Sequence, residues 1–149
     1  LGVTLGVQNH HDLAVGWQQF EDLIQEVDRP HCRAMFDAWA PALHCADLAE
    51  CARRLAPLTI HTTVADYQLR PRYRYNPGLV NYEGGTPLAQ AVPMGEGFIN
   101  YGAFLRGLEE GGSAASVAYE MCSPLLGGGS RKNLDRYAER FLEFMQQLQ

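Results

Sequence analysis

Four short apolar runs in this chain each carry one polar side chain near their C-terminal end, and the four side chains are Gln8, Asp37, His61 and Glu120. Glu120 follows Ser116-Val-Ala-Tyr119, and Val117, Ala118, Tyr119, Met121 and Cys122 leave that run no polar face. Such a run predicts a buried strand. A carboxylate there costs on the order of several kcal/mol unless it is paired, protonated or bound to a cation. Strand-end placement of all four groups predicts one constellation able to hold an ion or move a proton. Plainer roles exist for each. Glu120 could pair with Arg33, Asp37 could order the loop at Pro41, and His61 could be a hydrogen-bonded core imidazole.

The elements that must position them follow from periodicity. Residues 3–10 read as a strand with Thr4, Gly6, Gln8 and His10 on one face. An amphipathic helix on Trp17, Phe20, Ile24 and Val27 follows, stopped by Asp28-Arg29-Pro30. Residues 32–40 read as a second strand, with Arg33, Met35, Asp37 and Trp39 alternating to one face. Asp47-Leu48-Ala49-Glu50 is a capping-box pattern opening a helix. The third strand, 58–66, puts Thr59, His61, Thr63 and Ala65 together. After the fourth strand, Gly127-Gly128-Gly129-Ser130 leads to a last helix with Ser130 as its N-cap.

The connection from Tyr67 to Asn100 far exceeds the ~2–6 residues usual between a strand and a helix. A loop of that length is expected to be functional. It carries Arg70, Arg72 and Arg74, which suit a substrate carboxylate or phosphate, or a neighbouring subunit. Met94-Gly95-Glu96-Gly97 reads as a tight turn needing positive φ.

Strand–helix alternation four times over predicts an α/β fold with a parallel sheet, as one domain over 1–149. Four βα units amount to the C-terminal half of a (β/α)8 TIM barrel, units five to eight. Such a half leaves two open strand edges. An N-terminal half absent from this chain, or self-association as a homo-oligomer, would cover them. The net charge of −5 and the lack of a basic stripe make nucleic acid a poor default partner. No apolar run approaches the ~20 residues of a membrane span. Cys32, Cys45, Cys51 and Cys122 form no CxxC pair and read as reduced thiols of a cytoplasmic protein.

Four features taken together resemble the sugar phosphate isomerase/epimerase family with the xylose isomerase-like barrel (AP endonuclease family 2). They are Val7-Gln8-Asn9-His10, Phe36-Asp37, His61-Thr-Thr-Val-Ala-Asp66, and Met94-Gly95-Glu96-Gly97 followed by Tyr119-Glu120. In that family the second half of the barrel runs E-N-H, D, H-x-K-D, G-E-G and E. The resemblance implies a divalent cation (Mn, Mg or Zn) held by Gln8, Asp37, His61 and Glu120. Gln8 stands where the family has Glu, and it adds no charge and cannot be a base. On one alignment the third ligand falls on Thr63 rather than His61; imidazole chemistry favours His61.

Such a cation would polarise a carbonyl, hold the adjacent hydroxyl and stabilise an enediolate. The implied activity is isomerase or epimerase chemistry on a sugar or keto-polyol in carbohydrate metabolism, or a related lyase step. Glu120 is the expected base. With Gln8 ruled out, the second acid/base falls to His10, His11 or Asp66, and His10 is taken here. Trp39, Asp66, Arg70 and Arg72 are expected to touch the substrate. The isolated half is expected to be inactive. Two rivals are a degenerate sugar-binding barrel without turnover and an endonuclease IV-like repair enzyme.

Overall fold

The fold is set first by where the chain can bury aromatic side chains. Phe20, Phe36 and Phe104 are fully buried, and their rings sit 6.0 Å and 5.6 Å apart in succession. Each comes from a different part of the chain, so their packing draws a helix, a strand exit and a later helix onto one core. The computed structural model describes residues 2–10, 15–44 and 46–148. Contacts divide the chain into two units, Leu1–Val64 with Ile99–Glu120 and Ala65–Phe98 with Met121–Gln149.

The first unit holds a four-stranded sheet made of β1 (Leu5–Gln8), β2 (Cys32–Met35), β3 (Thr59–Val64) and β6 (Ser116–Tyr119). Every pairing is parallel, and the order is β1-β2-β3-β6. The helices α1 (Trp17–Val27), α2 (Trp39–Leu43), α3 (Leu48–Leu55) and α4 (Tyr101–Glu110) belong to the same unit. Asp47 caps α3 as the sequence predicts, accepting from the N–H groups of Ala49 and Glu50. The expected second strand is shorter than read. It stops at Met35, and Trp39–Leu43 turns helical, with Pro41 in the first turn where its missing N–H costs little. Helices α3 and α4 pack closely because Gly107 and Gly111 lack a Cβ. One at Gly107 would stand 2.4 Å from the Ala49 carbonyl oxygen.

Along β3 the period of two separates the faces. Thr62 and Val64 are fully buried, while His61 and Thr63 alternate to the other face and are half-buried. The expectation of a buried fourth strand is corrected here. Val117, Ala118 and Tyr119 are only half-buried and Glu120 is exposed, because β6 is an edge strand with one neighbour.

The second unit replaces the expected long loop with an antiparallel hairpin. Strand β4 (Asp66–Asn76) pairs with β5 (Asn81–Val92) along its length, with one bulge between Arg70 and Arg72. A two-stranded hairpin is marginal alone in water, so its root must be tied. Asp66, 1% exposed, accepts the main-chain N–H of Tyr67 at 3.0 Å, Gly95 at 3.0 Å and Gly97 at 2.8 Å. A side chain at Gly97 would collide with that carboxylate, and Gly95 sits at φ +83 as the turn requires. On the other strand, the Tyr137 hydroxyl of α5 (Arg131–Gln147) shares its one hydrogen between the carbonyls of Ala91 at 2.9 Å and Leu126 at 3.1 Å. Ser130 caps α5 through the Asn133 N–H. Among the described cysteines, Cys32, Cys51 and Cys122 are all free thiols, and no described helix is long and apolar enough to cross a membrane.

The Asp66→Ala variant would leave the main-chain N–H groups of Tyr67, Gly95 and Gly97 without this acceptor. We expect it to lose about 3 kcal/mol or more, read as a lowered urea midpoint.

Candidate functional site

The sheet's C-terminal rim gathers a polar cluster around Asp37. This residue follows Phe36, whose burial pulls the chain inward and leaves the carboxylate only 8% exposed. Its two oxygens have different partners. Oδ1 accepts the main-chain N–H of Trp39 at 3.0 Å, and Oδ2 accepts from Gln8 Nε2 at 2.8 Å. The same Gln8 nitrogen lies 3.2 Å from Thr63 Oγ1. Three adjacent strands thus meet at one amide group.

Asn9 fixes the backbone beneath this cluster. Its side chain is 2% exposed; Nδ2 donates to the Asp37 carbonyl at 3.0 Å and Oδ1 accepts the Asp37 N–H at 2.7 Å. In the sequence this residue stands out only as part of Val7-Gln8-Asn9-His10. The structure makes it the clamp that presents Asp37, and the signal was its place beside a strand-end ligand candidate.

Burial raises the Asp37 carboxyl from its ordinary 3.8 to about 6. Hydrogen bonds from Gln8 and the Trp39 N–H pull the value down in part, nearby Glu120 pushes it up, and His10 pulls it down. Glu120 and His10 therefore lie within electrostatic reach of Asp37. The Glu120 main-chain N–H continues the sheet by donating to the Val64 carbonyl at 2.9 Å. Arg33, one of the arginines that could pair with it, donates to the Pro57 carbonyl at 2.8 Å.

Other expected site residues lie differently. His61 is in register with Ser116, and its Nδ1 is 2.7 Å from Ser116 Oγ. Glu120 lies four residues further on, or roughly 13 Å along a strand. The structure thus brings Thr63 to Gln8 and Asp37, and sets His61 two residues before it, in register with Met35 and turned to Ser116. Trp39 is half-buried beside Asp37. Asp66, expected at the substrate, instead spends both oxygens on the hairpin root. Arg70 and Arg72 are exposed on β4 in the second unit, and Arg70 donates to Gln90 at 3.1 Å. His11 lies outside the described residues.

The chain matches the Xylose isomerase-like TIM barrel family over residues 1–148. It belongs to that family. The parallel sheet of four strands is accordingly part of a TIM barrel. Among solved structures, it is similar to a xylose isomerase domain protein from Planctomyces limnophilus, at 19% identity and TM-score 0.62. That match covers 97% of this chain and 44% of the other. A xylose isomerase-like TIM barrel protein from Mycobacterium smegmatis in complex with magnesium is 18% identical with TM-score 0.60, covering 99% and 44%. D-allulose 3-epimerase from Methylomonas sp., in complex with D-allulose, is 11% identical with TM-score 0.71, covering 99% and 49%. The chain spans about half the length of these structures. No curated protein matches it.

The family resemblance implies a divalent cation, and the donor set does not fit one as expected. Among the described residues no three His, Cys, Asp or Glu side chains converge as a metal site needs. What converges is Asp37, an amide and a hydroxyl, with Glu120 near.

Two outcomes follow. Because the folded Asp37 value exceeds the unfolded one, its contribution to stability is fully present below about pH 4 and lost as pH rises through about 6. Relative to Asp37→Asn, the wild type should lose about 3 kcal/mol across that window, measured by urea unfolding at a series of pH values. Asn9→Ala should cost about 2 kcal/mol through the unpaired main-chain groups of Asp37, measured the same way.

Proposed function

We propose that the rim of Asp37, Glu120, Gln8, Thr63 and His10 is the acid–base side of a site for isomerisation or epimerisation of a sugar or keto-polyol. The observation that carries this is the pair of carboxylates at the ends of β2 and β6, the two strands that flank β3, one buried and raised to about 6 and the other exposed. Environments that differ in this way divide the labour of acid and base. In this reading ionised Glu120 removes the proton from the carbon next to the carbonyl. Protonated Asp37 donates to the carbonyl oxygen as charge develops there, giving an enediol. A proton already carried by His10 then goes to carbon, at the neighbouring carbon for isomerisation or on the opposite face for epimerisation, as ionised Asp37 takes an enediol hydroxyl proton to reform a carbonyl; Glu120 afterwards gives its proton to water and His10 takes one up. A lyase step would begin with the same proton removal and end with loss of a β-hydroxyl. Trp39 offers an apolar wall beside the reacting carbons. The D-allulose bound to one structural relative supports a ketose-like ligand class.

In the complete barrel that holds this half, incubation with ketohexoses in D2O should exchange the proton next to the carbonyl, followed by NMR. Glu120→Gln should slow that exchange roughly 10²–10⁴-fold. The hydrogen-bonded Gln8–Thr63 contact favours a second reading, a site that binds a polyol without turnover. Ketose binding with no exchange at any pH would establish that reading in place of the first.

A further inference from the structure

We infer that the side-chain amide of Gln8 does the work of the divalent cation in this chain, so that the site is assembled without a metal ion. The inference concerns the same rim as the proposed function but depends only on its donors.

The charge count comes first. A hard divalent ion needs several anionic or strongly dipolar oxygens converging on one point. Among the described residues Asp37 is the one carboxylate hydrogen-bonded into the cluster, with Glu120 within electrostatic reach. The imidazole that would complete the set is on His61, which is in register with Met35, two residues before Thr63, and is hydrogen-bonded to Ser116 at 2.7 Å instead. Thr63 takes the rim position on β3 and brings a neutral hydroxyl.

The direction of the amide comes second. Nε2 of Gln8 stands 2.8 Å from Asp37 Oδ2 and 3.2 Å from Thr63 Oγ1, and an amide nitrogen has two hydrogens, one for each oxygen. Those N–H groups converge two oxygens from neighbouring strands on a single partially positive centre, as a cation would. They also present hydrogen, not oxygen, to anything entering between them. Turning the amide over would set Oε1 against the Asp37 carboxylate, two acceptors facing each other with no proton between. A cation arriving at the rim must force that turn while finding few charges to reward it. A glutamate at position 8 would reverse both conditions, because two carboxylates facing each other demand a cation or a proton.

The test uses Mn²⁺ alone, with no sugar present, so it succeeds or fails independently of ketose turnover. Binding is read as water-proton relaxation enhancement, and the quantity scored is the part lost on Asp37→Asn. We expect that part to be nil in the wild type and to appear in Gln8→Glu combined with Thr63→His. In NMR spectra of the wild type, the Gln8 side-chain amide signals should keep their width on Mn²⁺ addition, a reading that needs no variant to fold. Selective broadening of those signals, or wild-type Mn²⁺ uptake that Asp37→Asn removes, would overturn the inference. So would a folded double variant that takes up no Mn²⁺, since Gln8 would then not be what keeps the ion out.

Discussion

A carboxylate with almost no access to water has to be answered from within the protein, and the structure around Asp37 is that answer. Its backbone is gripped by Asn9 on both the N–H and the carbonyl. Its oxygens are met by Trp39 and Gln8. These donors come from β1 and from the turn into α2, so Asp37 can be satisfied only when two strands are side by side with their ends level. The parallel register does this: Gln8 pairs with Met35, and Asp37 follows two residues on. Polar satisfaction at the rim and apolar burial beneath it thus ask for the same arrangement.

The aromatic core supplies the other half of that agreement. Phe36 immediately precedes Asp37 and is fully buried between Phe20 and Phe104. Moving Phe36 outward would free the carboxylate but open the core. A core that fixes its neighbour this tightly lets burial, and not a charged partner, set the acid strength of Asp37. Near neutrality such a group exists in both protonation states, which is the property that proton transfer requires.

The second unit follows the same logic. Asp66 is also buried, yet it takes three main-chain N–H groups and holds the root of a hairpin. Both aspartates follow apolar strand residues in the sequence. One shares its oxygen with a side-chain amide on the next strand, and the other is absorbed by the turn at 94–97. The difference lies in which donors surround each, and those donors are distant in sequence.

The periodicity of the chain determined much of this protein. It set the parallel α/β order, the caps at Asp47 and Ser130, the turn at Gly95 and the strand-end placement of Gln8, Asp37 and Glu120, because alternation and capping depend on neighbours within a few residues. Tertiary structure decided the rest. The stretch beyond Asp66 became a hairpin because its two strands recognise each other across 27 residues at the root and have no local mark distinguishing them from a loop. Thr63 rather than His61 reached the rim because parallel pairing fixed the level of each strand, and a shift of two residues keeps the same face and cannot be read from a period of two. Glu120 came out exposed because burial depends on how many strands lie beside β6. Register and neighbour count are properties of the assembled sheet, and no single strand encodes them.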